Sequence, residues 1–302
     1  MMKRISKLLL VGIVAFGLMI QFSPFVQAAE IAKTEEDLLG ETIVVYGGNL
    51  NEAQKAEVKD ILNVEDGDTE NNVTGQDIAH YINGDPNSNM YSSVKITPKE
   101  EGHGIAVQIL TANNITKVTA DMYRNALLTA GIENAVVEVG SPIQVTGESA
   151  LSGIYKAYDA SGVELEQGRM EVANDELEIT SDLADKEGLS EEKVTALMTE
   201  IKKVISEEKP ATREDVERIV SEQLDRLEIT LNDDDRQLLI DLFDKMRDLD
   251  IDFGKVKDQL EDITSTIKDK LDDLDLNLDE GFWEKVKAFF NDIIDWIASF
   301  FK

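Results

Sequence analysis

The spacing of apolar residues changes at about residue 168, and this change limits the folds open to the chain. Before that point, short runs rich in β-branched residues, at 42–46, 93–97, 105–110 and 135–139, alternate with helical patterns. After it, apolar residues recur every three or four positions to about residue 274, without a convincing strand. The pattern predicts an α+β fold: an N-terminal α/β domain with a small sheet, followed by an all-α acidic helical region.

Residues that cap helix N-termini mark the helices of both parts. Asn51 and Thr119 precede helical patterns in the first part, and Ser190 and Thr212 do so in the second. Side chains of this type accept hydrogen bonds from the free N–H groups of a first helical turn. The spacing over 168–280 fits a helical bundle or an extended coiled-coil arm equally well.

Residues 1–28 have the three parts of an export signal. Basic residues precede an apolar run over 8–20, and Val26 and Ala28 supply small side chains before Ala29. The apolar run has 13 residues, whereas a membrane-spanning helix needs about 20. We expect cleavage after Ala28 and a protein that is secreted or extracellular. Association of this protein with the outer face of the cell membrane is also compatible with the sequence.

The composition excludes several kinds of chemistry. The chain has 61 acidic and 30 basic residues, two histidines and no cysteine, with a formal charge of −31. Without cysteine there is no disulfide, thiolate metal site or cysteine nucleophile. The negative field repels phosphate backbones, so nucleic acid is not an expected partner, and no cofactor is indicated. Weak, diffuse binding of cations is compatible with this surface.

Charge density supports a division of the mature chain. Of the 152 residues in 29–180, 36 are charged, compared with 52 of the 122 residues in 181–302. We predict a signal peptide over 1–28, an α/β domain over 29–167 and acidic helices over 168–280. Residues 281–302 are predicted to form a C-terminal aromatic amphipathic helix.

Candidate catalytic residues are few. Ser149 has half of a nucleophile elbow, but Leu151 stands where the second glycine is needed, so Ser149 is better explained as a helix start. His103, between two glycines, is predicted at a hairpin tip, and His80 on a short helix capped by Thr74. Among so many acids, no carboxylate pair stands out as the acid and base of a glycosidase.

Two further motifs are weak. The Gly47–Asn49 segment follows a strand but lacks the other residues of a phosphate-binding loop, so a turn is expected. Two acidic runs partly match a calcium-binding loop, but each lacks the glycine at its sixth position. Their ligand-like residues are Asp248, Asp250 and Asp252 in one run, and Asp273, Asp275, Asn277, Asp279 and Glu284 in the other.

The last predicted helix has an apolar sector of about 160°. Lys285 and Lys287 lie at its borders, as in helices that lie in a lipid headgroup region. Nearby acids cancel these charges, so docking on the chain itself or self-association competes with membrane contact as an explanation. The predicted interaction surface comprises Phe282, Trp283, Val286, Phe289, Phe290, Ile293, Trp296, Ile297 and Phe300.

Several segments of the α/β part resemble the YpuA-like family of exported Firmicute proteins, which is defined by a domain of unknown function. They are Ser92–Pro98, Gly104–Val107, Asn114–Thr116, Met122–Gly131 and Ser141–Tyr158. The resemblance implies export and the same division into sheet and helices, and it supplies no site residues. A non-enzymatic binding or assembly module of the cell envelope is the favoured function. An extracellular hydrolase with carboxylate chemistry in the α/β domain is the alternative.

Overall fold

A computed structural model describes residues 41–186 and 189–273. Its strands all precede residue 141 and its longest helices follow residue 166, which confirms the α+β class. The strands are β1 (Ile43–Gly47), β2 (Thr69–Val73), β3 (Ser93–Pro98), β4 (Ile105–Ile109) and β5 (Ala135–Gly140). The helices are α1 (Glu52–Ile61), α2 (Gly75–Ile82), α3 (Ala120–Ala130), α4 (Ala150–Ala160), α5 (Gln167–Ala184), α6 (Glu191–Glu208), α7 (Arg213–Arg226), α8 (Asp233–Asp248) and α9 (Lys257–Asp273). A 3₁₀ turn over Phe253–Val256 precedes α9.

The strands form a mixed sheet in the order β2-β1-β3-β5-β4. The outer pairs, β1 with β2 and β4 with β5, are parallel, and β3 pairs antiparallel with both β1 and β5. Because β5 lies between β3 and β4, the predicted hairpin at His103 is wrong. His103 lies in the connection between two strands that are not neighbours.

The two faces of the sheet are covered differently. On one face, Val45, Val94 and Val137 belong to a large core that extends through the helices. On the other face, Val44 and Tyr46 form a small cluster with Val58 of α1 and with Leu62, which follows α1. Alternation of side chains along each strand places these residues on opposite faces.

The helical part packs against the sheet part mainly through α3, and α5 also contacts α2. Helices α5, α6 and α9 all contact α3, while α7 packs on α6 and α8. One cluster of buried apolar residues runs from Ile43 to Ile267, so sheet and helices share a core across the predicted boundary at 167/168. The division of the chain at 167/168 into two domains therefore stays a prediction from the sequence.

Candidate binding groove

Two adjoining open cavities form a groove on the surface of the described part of the chain. The first, of about 530 Å³, lies between α2, the 83–90 segment, the start of α4 and α5. The second, of about 490 Å³, lies between α5 and α8. Asp175 and Glu178 of α5 line both cavities. We call this surface the acidic groove, because its first cavity contains the carboxylates of Asp85, Glu148, Asp175 and Glu178.

A close backbone contact fixes the 83–90 wall of the acidic groove. A Cβ atom on Gly75, the first residue of α2, would lie 2.2 Å from the carbonyl oxygen of Pro86. Glycine is therefore the residue that allows this approach. The Asn49 side chain accepts a hydrogen bond from the Met90 N–H at 2.8 Å and holds the far end of the wall.

The Gly47–Asn49 segment forms the expected turn and has no amide left for a phosphate. The Gly47 N–H donates to the Ser93 hydroxyl, the Gly48 N–H to the Val73 carbonyl and the Asn49 N–H to the Met90 carbonyl. A phosphate loop needs such N–H groups free and convergent. Here they join β1 to its neighbouring segments.

Ser149 and the two histidines do not form a catalytic group. Ser149 is at the start of α4, as expected, and its hydroxyl donates to the Ser92 hydroxyl at 3.4 Å. His80 lines a separate cavity of about 260 Å³. His103 is exposed, and its Nδ1 lies 3.0 Å from the neighbouring Gly104 carbonyl. A serine nucleophile needs a base within hydrogen-bond reach, and neither histidine lines the groove that contains Ser149.

The carboxylates of the acidic groove influence one another. The environment of Glu178 raises its pKa, through partial desolvation and through the charges of Glu148, Asp175 and Asp182. The Asn174 side-chain amide donates to Glu178 Oε1 at 3.0 Å. Asp175 is paired with Lys245 of α8 at 2.8 Å. The Glu178 carboxylate thus lies among like charges.

Fully buried carboxylates are arranged differently. The described part of the chain contains four of them, and each has a cationic partner: Asp121 with Arg124 and Lys270, Glu176 with Lys202, Glu200 with Lys203, and Asp235 with Lys186. Paired, hydrogen-bonded carboxylates are the usual way in which a fold tolerates buried charge. These groups therefore belong to the interior packing of the fold and are not available to a ligand.

The acidic run that the structure describes, Asp248 to Asp252, does not converge on a metal site. Within 41–186 and 189–273, no three histidine, aspartate or glutamate side chains are placed to hold an ion. Asp248 contacts Arg247, and Asp252 accepts a hydrogen bond from the Gly254 N–H at 3.0 Å. The second acidic run and the predicted interaction surface of residues 282–300 lie outside the side chains that the structure describes. Of the described helices, none has the length and apolar character to span a membrane.

Sequence reasoning did not find the acidic groove. Asp175 and Glu178 are two of 61 acids, and their spacing of three residues on one helix face is common. Asp85 and Glu148 come from segments about 90 and 30 residues earlier, which the fold alone brings to α5. A short acidic sequence pattern could not have indicated this convergence.

Comparison with known proteins identifies the family. The model of the family described as "Protein of unknown function (DUF1002)" matches residues 46–263, and the chain belongs to this family. The chain is also similar to the "Uncharacterized protein YpuA" of Bacillus subtilis (strain 168), with 36% identity over 301 residues, 97% of this chain and 98% of the relative. The resemblance to YpuA-like proteins is thereby confirmed. No solved structure matches the chain significantly.

Proposed function

We propose that this chain is an exported cell-envelope protein and a non-enzymatic binding or assembly module. In this proposal the acidic groove is the binding surface and residues 281–302 attach the protein. The observation that carries the binding role is the contrast between carboxylates: the fully buried ones are ion-paired, whereas Asp85, Glu148 and Glu178 of the groove form no ion pair with a described residue. Carboxylates at the wall of an open groove suit recognition of a partner.

Export and attachment are supported by the sequence at the two ends. The charge and apolar pattern of residues 1–28 fits a cleaved export signal. The aromatic sector of residues 281–302 would expose several hundred Å² of apolar surface unless a membrane, a second copy or the chain itself covered it. We expect the mature protein to begin at Ala29 and to be retained at the cell surface through this sector.

Fractionation of cells that express the full chain tests this proposal. Phe289→Ser with Trp296→Ser should release the protein from the cell surface, because both side chains lie in the apolar sector. Asp295→Asn with Lys302→Gln is the matched control. Both residues lie on the face opposite the apolar sector and the two changes cancel in net charge, so this variant should not release the protein. N-terminal sequencing should begin at Ala29. A wild-type protein that keeps Met1, or that stays in the cytoplasm, would contradict the proposal.

One observation favours the alternative, an extracellular hydrolase with carboxylate chemistry. Glu178 and Glu148 both line the first cavity, and partial desolvation and neighbouring charges raise the pKa of Glu178. Glycosidases use a pair of carboxyl groups, of which the general acid has a raised pKa. Purified mature protein would then release reducing sugar from cell-wall polysaccharide. The rate should fall at least a hundredfold in both Glu178→Gln and Glu148→Gln, about the minimum for loss of a general acid or base. Lack of release by the wild-type protein would remove this alternative.

A further inference from the structure

The first cavity of the acidic groove combines acidic walls with an apolar lining. Its lining includes four carboxylates, and no described lysine or arginine lines it. Ile78, Ile82 and Val145 supply apolar surface beside these charges. Carboxylates accept hydrogen bonds and do not donate them when ionised. The cavity therefore offers acceptors and aliphatic contacts together.

Two buried polar side chains in the same cavity lack part of their hydrogen bonding. Ser152 is 1% exposed, and its hydroxyl has no hydrogen-bond partner among the described residues. Asn174 is 8% exposed; its amide nitrogen donates to Glu178, while no described residue donates to its Oδ1. Buried polar groups nearly always have a partner. The Asn174 Oδ1 can only accept a hydrogen bond and the Ser152 hydroxyl can accept one, so both side chains fit a ligand that donates hydrogen bonds.

We propose that this cavity binds a primary alkylammonium group, carried by a short diamine or by a lysine side chain of a peptide. An ammonium group has three donors and no acceptor, which matches Ser152, Asn174 and the carboxylates. Its methylene chain would lie on Ile78, Ile82 and Val145. The ammonium charge would also offset the mutual repulsion of the Glu148, Asp175 and Glu178 carboxylates. The inference rests on the proposed binding function and names its ligand class.

Calorimetric titration of the mature chain, residues 29–302, tests the inference. The probes are 1,5-diaminopentane and the capped tripeptide acetyl-Ala-Lys-Ala-amide, with neutral 1,5-pentanediol as the control ligand. We expect saturable binding of one molecule of an amine and none of the diol. Saturation by diaminopentane alone identifies a small amine, and saturation by the tripeptide alone identifies a lysine side chain; either outcome supports the site.

Variants separate this site from general attraction to an acidic protein. Glu148→Gln with Glu178→Gln should weaken amine binding at least about tenfold, as expected for loss of charge-assisted hydrogen bonds. Ser152→Ala should weaken it about threefold while the fold is retained. The matched control is Glu57→Gln with Glu65→Gln, two exposed acids with no side-chain hydrogen bond among the described residues, and it should leave affinity unchanged.

Four results would overturn the inference. They are no saturable binding of either amine, equal binding of the diol, equal losses in the groove variant and its control, and full competition by an equal concentration of calcium. The last two would indicate diffuse cation attraction. Fractionation and N-terminal sequencing do not involve these ligands, so they report separately on export and attachment.

Discussion

The buried pair of Lys202 and Glu176 shows how single residues join the helices to the sheet part. Their side chains are 0% and 2% exposed. The Thr129 hydroxyl of α3 donates to Glu176 at 2.6 Å, and the Lys202 ammonium also donates to the Asn125 carbonyl at 2.9 Å. Burial lowers the pKa of Lys202, and the Glu176 charge opposes this effect. The pair thus links α3, α5 and α6.

Lys202→Met should lower the free energy of unfolding by about 3–5 kcal/mol, because it leaves the Glu176 carboxylate buried without its cation. Lys202→Met with Glu176→Leu should recover more than half of this loss, since neither charge then remains. Urea unfolding of the mature chain measures both values. Lys59→Met breaks the exposed pair with Glu70 and should cost less than about 1 kcal/mol. A double variant no more stable than the single one would contradict this account.

At the scale of elements, Asp77 connects the start of α2 to α4. Its carboxylate accepts hydrogen bonds from the Thr74 N–H and hydroxyl, both at 2.8 Å, and from Lys156 at 3.0 Å. Burial acts to raise its pKa, but these hydrogen bonds and the Lys156 charge lower it overall. A carboxylate with a lowered folded-state pKa stabilises the fold above its unfolded pKa, and this contribution is lost as the pH falls through the folded value.

Asp77→Asn should therefore destabilise the protein by about 1 kcal/mol at pH 7, the usual value of a helix cap. The difference from the wild type should shrink as the pH falls below the ordinary aspartate value of 3.8. Denaturant unfolding between pH 7 and pH 3 measures this trend. Asp66→Asn, at an exposed turn residue, should show no such trend. A difference that stays constant with pH would show that ionised Asp77 contributes nothing.

The contact between α2 and the 83–90 segment depends on Gly75. Gly75→Ala should lower stability by about 1–3 kcal/mol, because the new Cβ would overlap the Pro86 carbonyl. At Gly67, an added Cβ meets nothing within 4 Å, so Gly67→Ala is the matched control. Thermal unfolding compares the two variants. Equal midpoints would show that the 83–90 wall moves away at little cost.

Local signals in the sequence predicted elements well, and non-local pairing explains what they missed. Asn51, Thr119 and Ser190 cap helices as expected, because capping involves the next few residues. The strand β2 was missed, since its Thr-Glu-Asn-Asn-Val sequence is mostly polar and exposed at a sheet edge. The pairing of β4 with β5 cannot be read from either strand alone. The acidic groove depends on such long-range placement.

At the scale of the whole molecule, the surroundings of α3 bear on whether the sheet part can fold without the later helices. Nine of its eleven residues are buried, and a helix buried on all sides needs neighbours on every side. The sheet part supplies some of them, and α5, α6 and α9 supply the others. The Arg169 guanidinium of α5 also donates to the Thr129 and Leu128 carbonyls, at 2.8 and 3.1 Å, near the end of α3.

We expect a fragment of residues 29–167 to lack a cooperative unfolding transition, because loss of the later helices exposes one side of α3. It also leaves the Asn125 and Thr129 side chains without their hydrogen-bond partners in α6 and α5. Circular dichroism in urea measures the transition, with sedimentation to exclude aggregation. A fragment of residues 29–280 is the control and should unfold cooperatively, since it keeps α3 covered. A cooperative transition in the shorter fragment would instead show that the α/β domain predicted over 29–167 folds without the later helices.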